Sequence, residues 1–194
     1  MKSFAFAAAF AAATASASTC YTDTKLIKMG EGYEACMYYD SVGVKTICYG
    51  FNLEVGDAKS EVEAVGGNYN DVINGGCLTQ SQCDSLLNTE VDQARAGKKS
   101  IYGAHVGCNC ADYVLVDMDY NLGTAGLATF TTFQSYIEAQ DWVAAADDLY
   151  TTLWCSQVGT RCDRDAEQIR GCANGVQFKT VEENGVTYQV VDTN

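Results

Sequence analysis

The sequence predicts an α+β fold: a small β-rich lobe near the N-terminus, a larger helical lobe behind it, and one long helix joining the two. Three observations carry that prediction. Aromatic and β-branched residues flank a glycine-containing turn at 35–51, a long amphipathic stretch opens at Thr79, and four further helical segments follow, separated by Gly or Asn breaks.

The chain has 194 residues. It opens with Lys2, an apolar run from Phe4 to Ala13 and the small-residue segment Ala15-Ser16-Ala17, the layout of a secretory signal peptide over 1–17. That apolar run falls short of the ~20 residues a membrane span needs, so membrane insertion is not expected and the mature chain is expected to be exported. The remaining 18–194 suffice for a real hydrophobic core, and no repeat or low-complexity linker divides them.

Taken in order, "TDTKLIKMGEG" offers Thr22 or Asp23 as N-cap, apolar Leu26, Ile27 and Met29, and Gly32 as a stop, which predicts a short helix ending at about Glu31. "ACMYYD" and "VKTICYGF" around Ser41-Val42-Gly43 predict a β-hairpin, and the lobe is expected to cover about 33–78. Residues 55–76 read as a loop with one short helix. "TQSQCDSLLNTEVDQARAG" carries Leu86, Leu87, Val91 and Ala94 at helical spacing up to Gly97, giving an inter-lobe helix over about 79–96. "NCADYVLVDMDYNLG", "LATFTTFQSYIEA", "DWVAAADDLYTTLW" and "RDAEQIRGC" then build a helical lobe over about 97–172. The tail 173–194 alternates apolar and polar residues around Asn184-Gly185, the signature of a terminal hairpin.

Ten cysteines all lie beyond the expected cleavage point, and in an exported chain they read as up to five disulfides. With Asp40 and Thr46 near the turn, Cys36 and Cys48 fall nearly opposite, which predicts a Cys36–Cys48 bridge. No CxxC pair exists and His105 is the single histidine, so no metal and no cofactor are expected. Twelve Lys plus Arg against 25 Asp plus Glu give a net charge of −13, which repels nucleic acid and suits a neutral or cationic polymer.

Cleaving a glycosidic bond needs one carboxylic acid for the leaving oxygen and one carboxylate across the sugar for water or direct attack. Glu31, at a helix C-terminus beside the negative pole of the macrodipole, suits the acid. Asp40, opening a solvent-facing turn, suits the base, and Thr46 can point its hydroxyl at the same water. By itself an acidic pair nine apart is a weak signal, because an Asp at a turn is usually turn chemistry; Glu34 and Ser41 read as plain surface.

The pattern gains weight from a resemblance. "EG", an aspartate nine residues after the glutamate, and "T-I-x-x-G" resemble the phage-type lysozymes, glycoside hydrolase family 24, the family of the T-even bacteriophage lysozyme. The similarity continues through "LTQSQCDSLLNTEVDQA" and "YNLGTAGLATF" to Trp142 and Trp154, twelve apart, and spans 22–172. It implies a lysozyme-like fold and an inverting muramidase acting on the β-1,4 bonds of peptidoglycan, with Glu31 as general acid, Asp40 as base or stabiliser and Thr46 placing the water. It further implies substrate contacts from Tyr120, Asn121 and Gly50, with a core aromatic as the other reading of Tyr120, and an arginine supporting the acid, either Arg161 or Arg164. Phe51 stands where the family has histidine and Glu90 at its helical counterpart, so the family's ion pair between lobes cannot form here. Two alternatives remain: a glycosidase cleaving chitin or chitosan, and a secreted sugar-binding protein on the same fold. The expected partner is a polysaccharide and the expected state a monomer.

Overall fold

A computed structural model describes residues 20–174, 178–183 and 186–191; the expected signal peptide and the Asn184-Gly185 turn lie outside these residues. The architecture is α+β as predicted, mostly helical with a small antiparallel sheet. The first helix, α1 (Asp23–Glu31), ends where Gly32 turns to φ +77°. Its neighbouring residues Leu26 and Ile27 are both fully buried, yet in different places: Leu26 in the core of the helical lobe, Ile27 in that of the β lobe. Helix α1 therefore lies on the seam between the two cores, and this puts its last residue, Glu31, at their junction.

Strands β1 (Glu34–Tyr39), β2 (Lys45–Cys48) and β3 (Phe51–Asn52) form a sheet in that order. The expected Cys36–Cys48 bridge is absent. Tyr38 pairs with Thr46, but the register then shifts so that Glu34, not Cys36, stands opposite Cys48. The bulge turns Cys36 toward the Gly76-Cys77-Leu78 segment, where Met37 N–H donates to Gly76 O at 3.0 Å and Leu78 N–H to Ala35 O at 2.9 Å. Cys36 is bonded to Cys77, and Cys48 to Cys83 on the long helix. A bulge inserts residues into one strand only, so counting outward from the turn fails beyond it.

The stretch read as a loop with one short helix holds two, α2 (Ala58–Ala64) and α3 (Tyr69–Val72), the latter capped by Asn68. The long helix α4 (Gln80–Tyr102) opens on a capping box between Thr79 and Gln82 and runs past Gly97 to Gly103. Cys83, Leu86, Leu87 and Val91 pack in the β-lobe core, whereas Ile101 and Tyr102 pack against the helical core, so this one helix serves both.

Helix α5 (Asn109–Leu127) crosses it, broken at Gly123, where φ is +69°. Four more helices follow: α6 (Thr131–Glu138), α7 (Trp142–Leu149), α8 (Leu153–Val158) and α9 (Thr160–Gly171). The segment 141–154 yields two of them because the Thr152 hydroxyl accepts the Cys155 N–H and starts a new helix. In the tail, β4 (Phe178–Glu183) pairs antiparallel with β5 (Val186–Val191), as the alternation predicts.

All ten cysteines are paired. Beyond the two β-lobe bridges, Cys20–Cys110 ties the start of the described chain to α5, Cys108–Cys172 joins α5 to the end of α9, and Cys155–Cys162 links α8 to α9. Among the described residues no helix is long and apolar enough to cross a membrane.

Candidate active site

Each side of the site is held by local chemistry that the sequence prescribes. Asp40 closes the hairpin turn: its Oδ1 accepts the N–H groups of Val42 at 2.9 Å and Val44 at 2.8 Å. Thr46, buried in β2, donates its hydroxyl to Val44 O at 3.1 Å. The two side chains thus brace against one residue, Val44, the first at its N–H and the second at its C=O, and this fixes them relative to one another.

On the other side Glu31 leaves the end of α1 with its side chain 24% exposed, enough to meet a ligand yet largely out of water. Its Oε1 accepts from Arg161 Nη1 at 2.6 Å. Its Oε2 faces Gly50, where φ is +97° and a Cβ would sit 3.9 Å from that oxygen. Gly50 therefore lies beside the carboxyl. Arg161 is buried on α9 and packs over Gly30; a Cβ there would lie 2.9 Å from its Cζ and Nη1. Only glycine leaves room for the guanidinium at that point.

Arg161 is held mainly from behind. Its Nε and Nη2 donate to the two carboxylate oxygens of Asp117 at 2.8 and 2.9 Å, a bidentate fork, and Nη2 reaches Asp117 O at 3.3 Å. The choice between the two arginines falls to geometry: Arg161 meets Glu31, while Arg164 has a buried Nε without a hydrogen-bond partner and acts on Asp165 by charge. Asp165 is fully buried, and neither oxygen receives a donor from the surrounding protein. Burial first, and then the negative charge of and hydrogen bond to Asp117, push its carboxyl well above the usual carboxylate range. Two neighbouring buried carboxyl groups disfavour a second negative charge, and the upward direction falls on Asp165.

Tyr38 ties the two halves together electrostatically. Burial raises its phenol, and the charges of Asp40, Glu31 and Glu34 raise it further, so its hydroxyl lies within the field of both proposed reacting carboxyl groups.

Tyr120, expected to meet sugar, donates its hydroxyl to Glu90 Oε2 at 3.0 Å. Burial lifts the Glu90 carboxyl up to about 7, opposed by that hydrogen bond and reinforced by the charges of Glu61 and Glu31. Tyr120 is itself raised by burial and by Glu90 and Glu31. Asn121 is exposed, with its Oδ1 fixed by Trp154 Nε1 at 2.7 Å, so its amide N–H groups remain the free end. A cavity of about 290 Å³ between α4 and α5 is lined by Glu90, Gln93, Asp119 and Tyr120.

Sequence reasoning missed Asp117, Asp165 and Glu90. A signal was present for the first: "VLVDMDY" sets acids inside an apolar helical run, and a buried carboxylate there demands a partner.

Among known families, the phage lysozyme model matches residues 28–167, a span that includes Glu31, Asp40, Thr46, Asp117 and Arg161. The chain belongs to the phage lysozyme family. Membership supports a glycosidase of the muramidase type, with a cell-wall polysaccharide as its substrate class. In this phage lysozyme fold Glu31, Gly50 and Arg161 meet at one point, Asp40 and Thr46 both brace on Val44, and Tyr38 feels the charges of Asp40 and Glu31.

Proposed function

We propose that this protein is a secreted muramidase that hydrolyses the β-1,4 bond between N-acetylmuramic acid and N-acetylglucosamine with inversion. The observation that carries the reading is the asymmetric environment of Glu31: one oxygen is held by Arg161, and the other is presented across the side-chain-free surface of Gly50. A general acid needs one anchored oxygen and one that reaches the leaving group.

In the proposed cycle Oε2 of Glu31 delivers its proton to the glycosidic oxygen as the bond breaks. A water on the opposite face attacks the anomeric carbon, giving its proton to Asp40 while the Thr46 hydroxyl, already committed as donor to Val44 O, accepts a hydrogen bond from that water. Asp40 spends Oδ1 on the turn, which leaves its second oxygen for the water. Arg161 then steadies the carboxylate that Glu31 has become. Inversion requires roughly 6.5–9.5 Å between the carboxyl groups, room for one water. Five disulfides fit an oxidising compartment and so support secretion.

The test is release of reducing ends from purified peptidoglycan by wild type and Glu31→Gln. A loss of roughly 10²–10⁴-fold is expected for the loss of a general acid. Equal turnover by the two proteins, or none by wild type, would overturn the reading.

A further inference from the structure

An acid that must arrive protonated is here in contact with a guanidinium, which favours the ionised carboxylate. That guanidinium is shared between two carboxylates. Of the Arg161 contacts, one goes to Glu31 and three go to Asp117, which is fully buried and accepts the fork with both oxygens. Behind Asp117 stands Asp165, also fully buried.

We propose that Asp117 is a positioning residue for the reaction at Glu31: through the two-pronged contact with both of its oxygens it fixes the Arg161 guanidinium and takes up most of its charge. Glu31 then receives one directed hydrogen bond rather than the field of an undivided cation. This inference rests on the proposed role of Glu31 as general acid.

The arrangement balances in charge. Asp117 and Arg161 neutralise one another, and Asp165 adds none while it keeps its proton. Were Asp165 ionised, two buried anions would compete for a single guanidinium, with Arg164 as the other positive charge on that helix. The remaining titratable groups that feel the Glu31 charge are Tyr38 on β1, Glu90 on α4 and Tyr120 on α5, and Tyr120 also feels the charge of Arg161. The hydrogen bonds that Arg161 makes are to Asp117 and Glu31, so its charge is shared in the first place between these two.

The experiment is the pH profile of peptidoglycan hydrolysis by Asp117→Asn and Asp165→Asn, together with carboxyl-carbon NMR titration of each protein. Asparagine at 117 keeps an acceptor for Arg161 but removes the charge, so Glu31 should ionise earlier. The alkaline limb of the profile is expected to move to lower pH by roughly one to three units, with the acid limb and the KM at the optimum unmoved. A uniform drop in kcat with the limb in place would mean a merely structural role and would overturn the proposal. Asparagine at 165 donates where the protonated acid donates, so that limb should stay put; a displaced limb counts against it.

Both profiles are repeated in a Glu90→Gln background, so that titration of Glu90 is not mistaken for that of Glu31. Should Asp117→Asn fail to fold, wild type alone decides: the Asp165 carboxyl is expected to titrate above the usual carboxylate range, and ordinary ionisation sinks the idea. Should wild type prove inactive on peptidoglycan, the functional reading fails by itself, while the Glu31 and Asp165 titrations still read the charge sharing directly.

Discussion

Glu90 shows how a single residue can set the working range of the molecule. Its carboxyl, buried against Tyr120, is raised from the ordinary glutamate value of 4.5 to about 7. A carboxyl whose folded-state value lies above its unfolded one favours folding relative to the ionised state only while protonated. Its contribution is therefore fully present below about pH 4.5 and is lost as pH rises through about 7. Across that window the loss is on the order of 3 kcal/mol. Glu90→Gln, neutral at every pH and able to keep an acceptor for the Tyr120 hydroxyl, is expected to be more stable than wild type at pH 7.5 and equal to it at pH 4. Urea denaturation at the two pH values checks this, and parallel stability curves would contradict it. The proposed trio of Glu31, Asp40 and Thr46 could be picked out of the sequence because the three stand in a local motif. Glu90 and Asp165 could not, because what raises a carboxyl is its burial and its neighbours across the fold. The choice of Arg161 over Arg164 likewise depends on the phase of α9: two residues three apart share a helix face only roughly, and one of them alone reaches α1.

Elements were legible wherever local chemistry alone determines them, and illegible where packing overrides it. The α4 N-terminus follows from its Thr79–Gln82 capping box, whereas its end was read too early because Gly97 looks like a stop. Gly97 instead makes room for α5: a Cβ there would lie 2.2 Å from Thr124 Oγ1 and 2.5 Å from Asp119 Oδ1. A glycine inside a helix costs about 1 kcal/mol relative to alanine, so Gly97→Ala gains that much from propensity. Against this stands overpacking, typically 1–3 kcal/mol. Thr124 is exposed and can swing away, but Asp119 is buried and cannot, so the clash should win. A net loss of up to roughly 2 kcal/mol is expected in chemical denaturation with the m-value unchanged; a variant more stable than wild type would show that α5 can back away. The Cys36 pairing failed for a related reason. Hairpin counting holds for Tyr38 opposite Thr46 and breaks at the bulge beyond, which no local residue announces.

At the scale of the whole molecule, a charge of −13 has to be reconciled with a substrate that is itself anionic in a bacterial wall. Self-repulsion of that size works against the compact state, and five cross-links, which constrain the unfolded chain, work the other way. The same field should slow approach to an intact wall. Repulsion between exposed charges reaches about 30 Å at 0.01 M salt and about 10 Å at 0.1 M, so added salt should relieve it. Initial rates on intact, anionic walls at pH 7 are therefore expected to rise several-fold between those two ionic strengths. Rates on a short uncharged oligosaccharide should stay level, since little long-range field acts on it. Near pH 4 many surface carboxylates are protonated, so the salt effect should shrink while the rate at low salt climbs. Glu90 points the same way, being neutral and stabilising on the acid side of about 7. Rates that fall with salt at pH 7, or that climb steadily from pH 4 to 8, would show that the acidic surface is not what limits access to the wall.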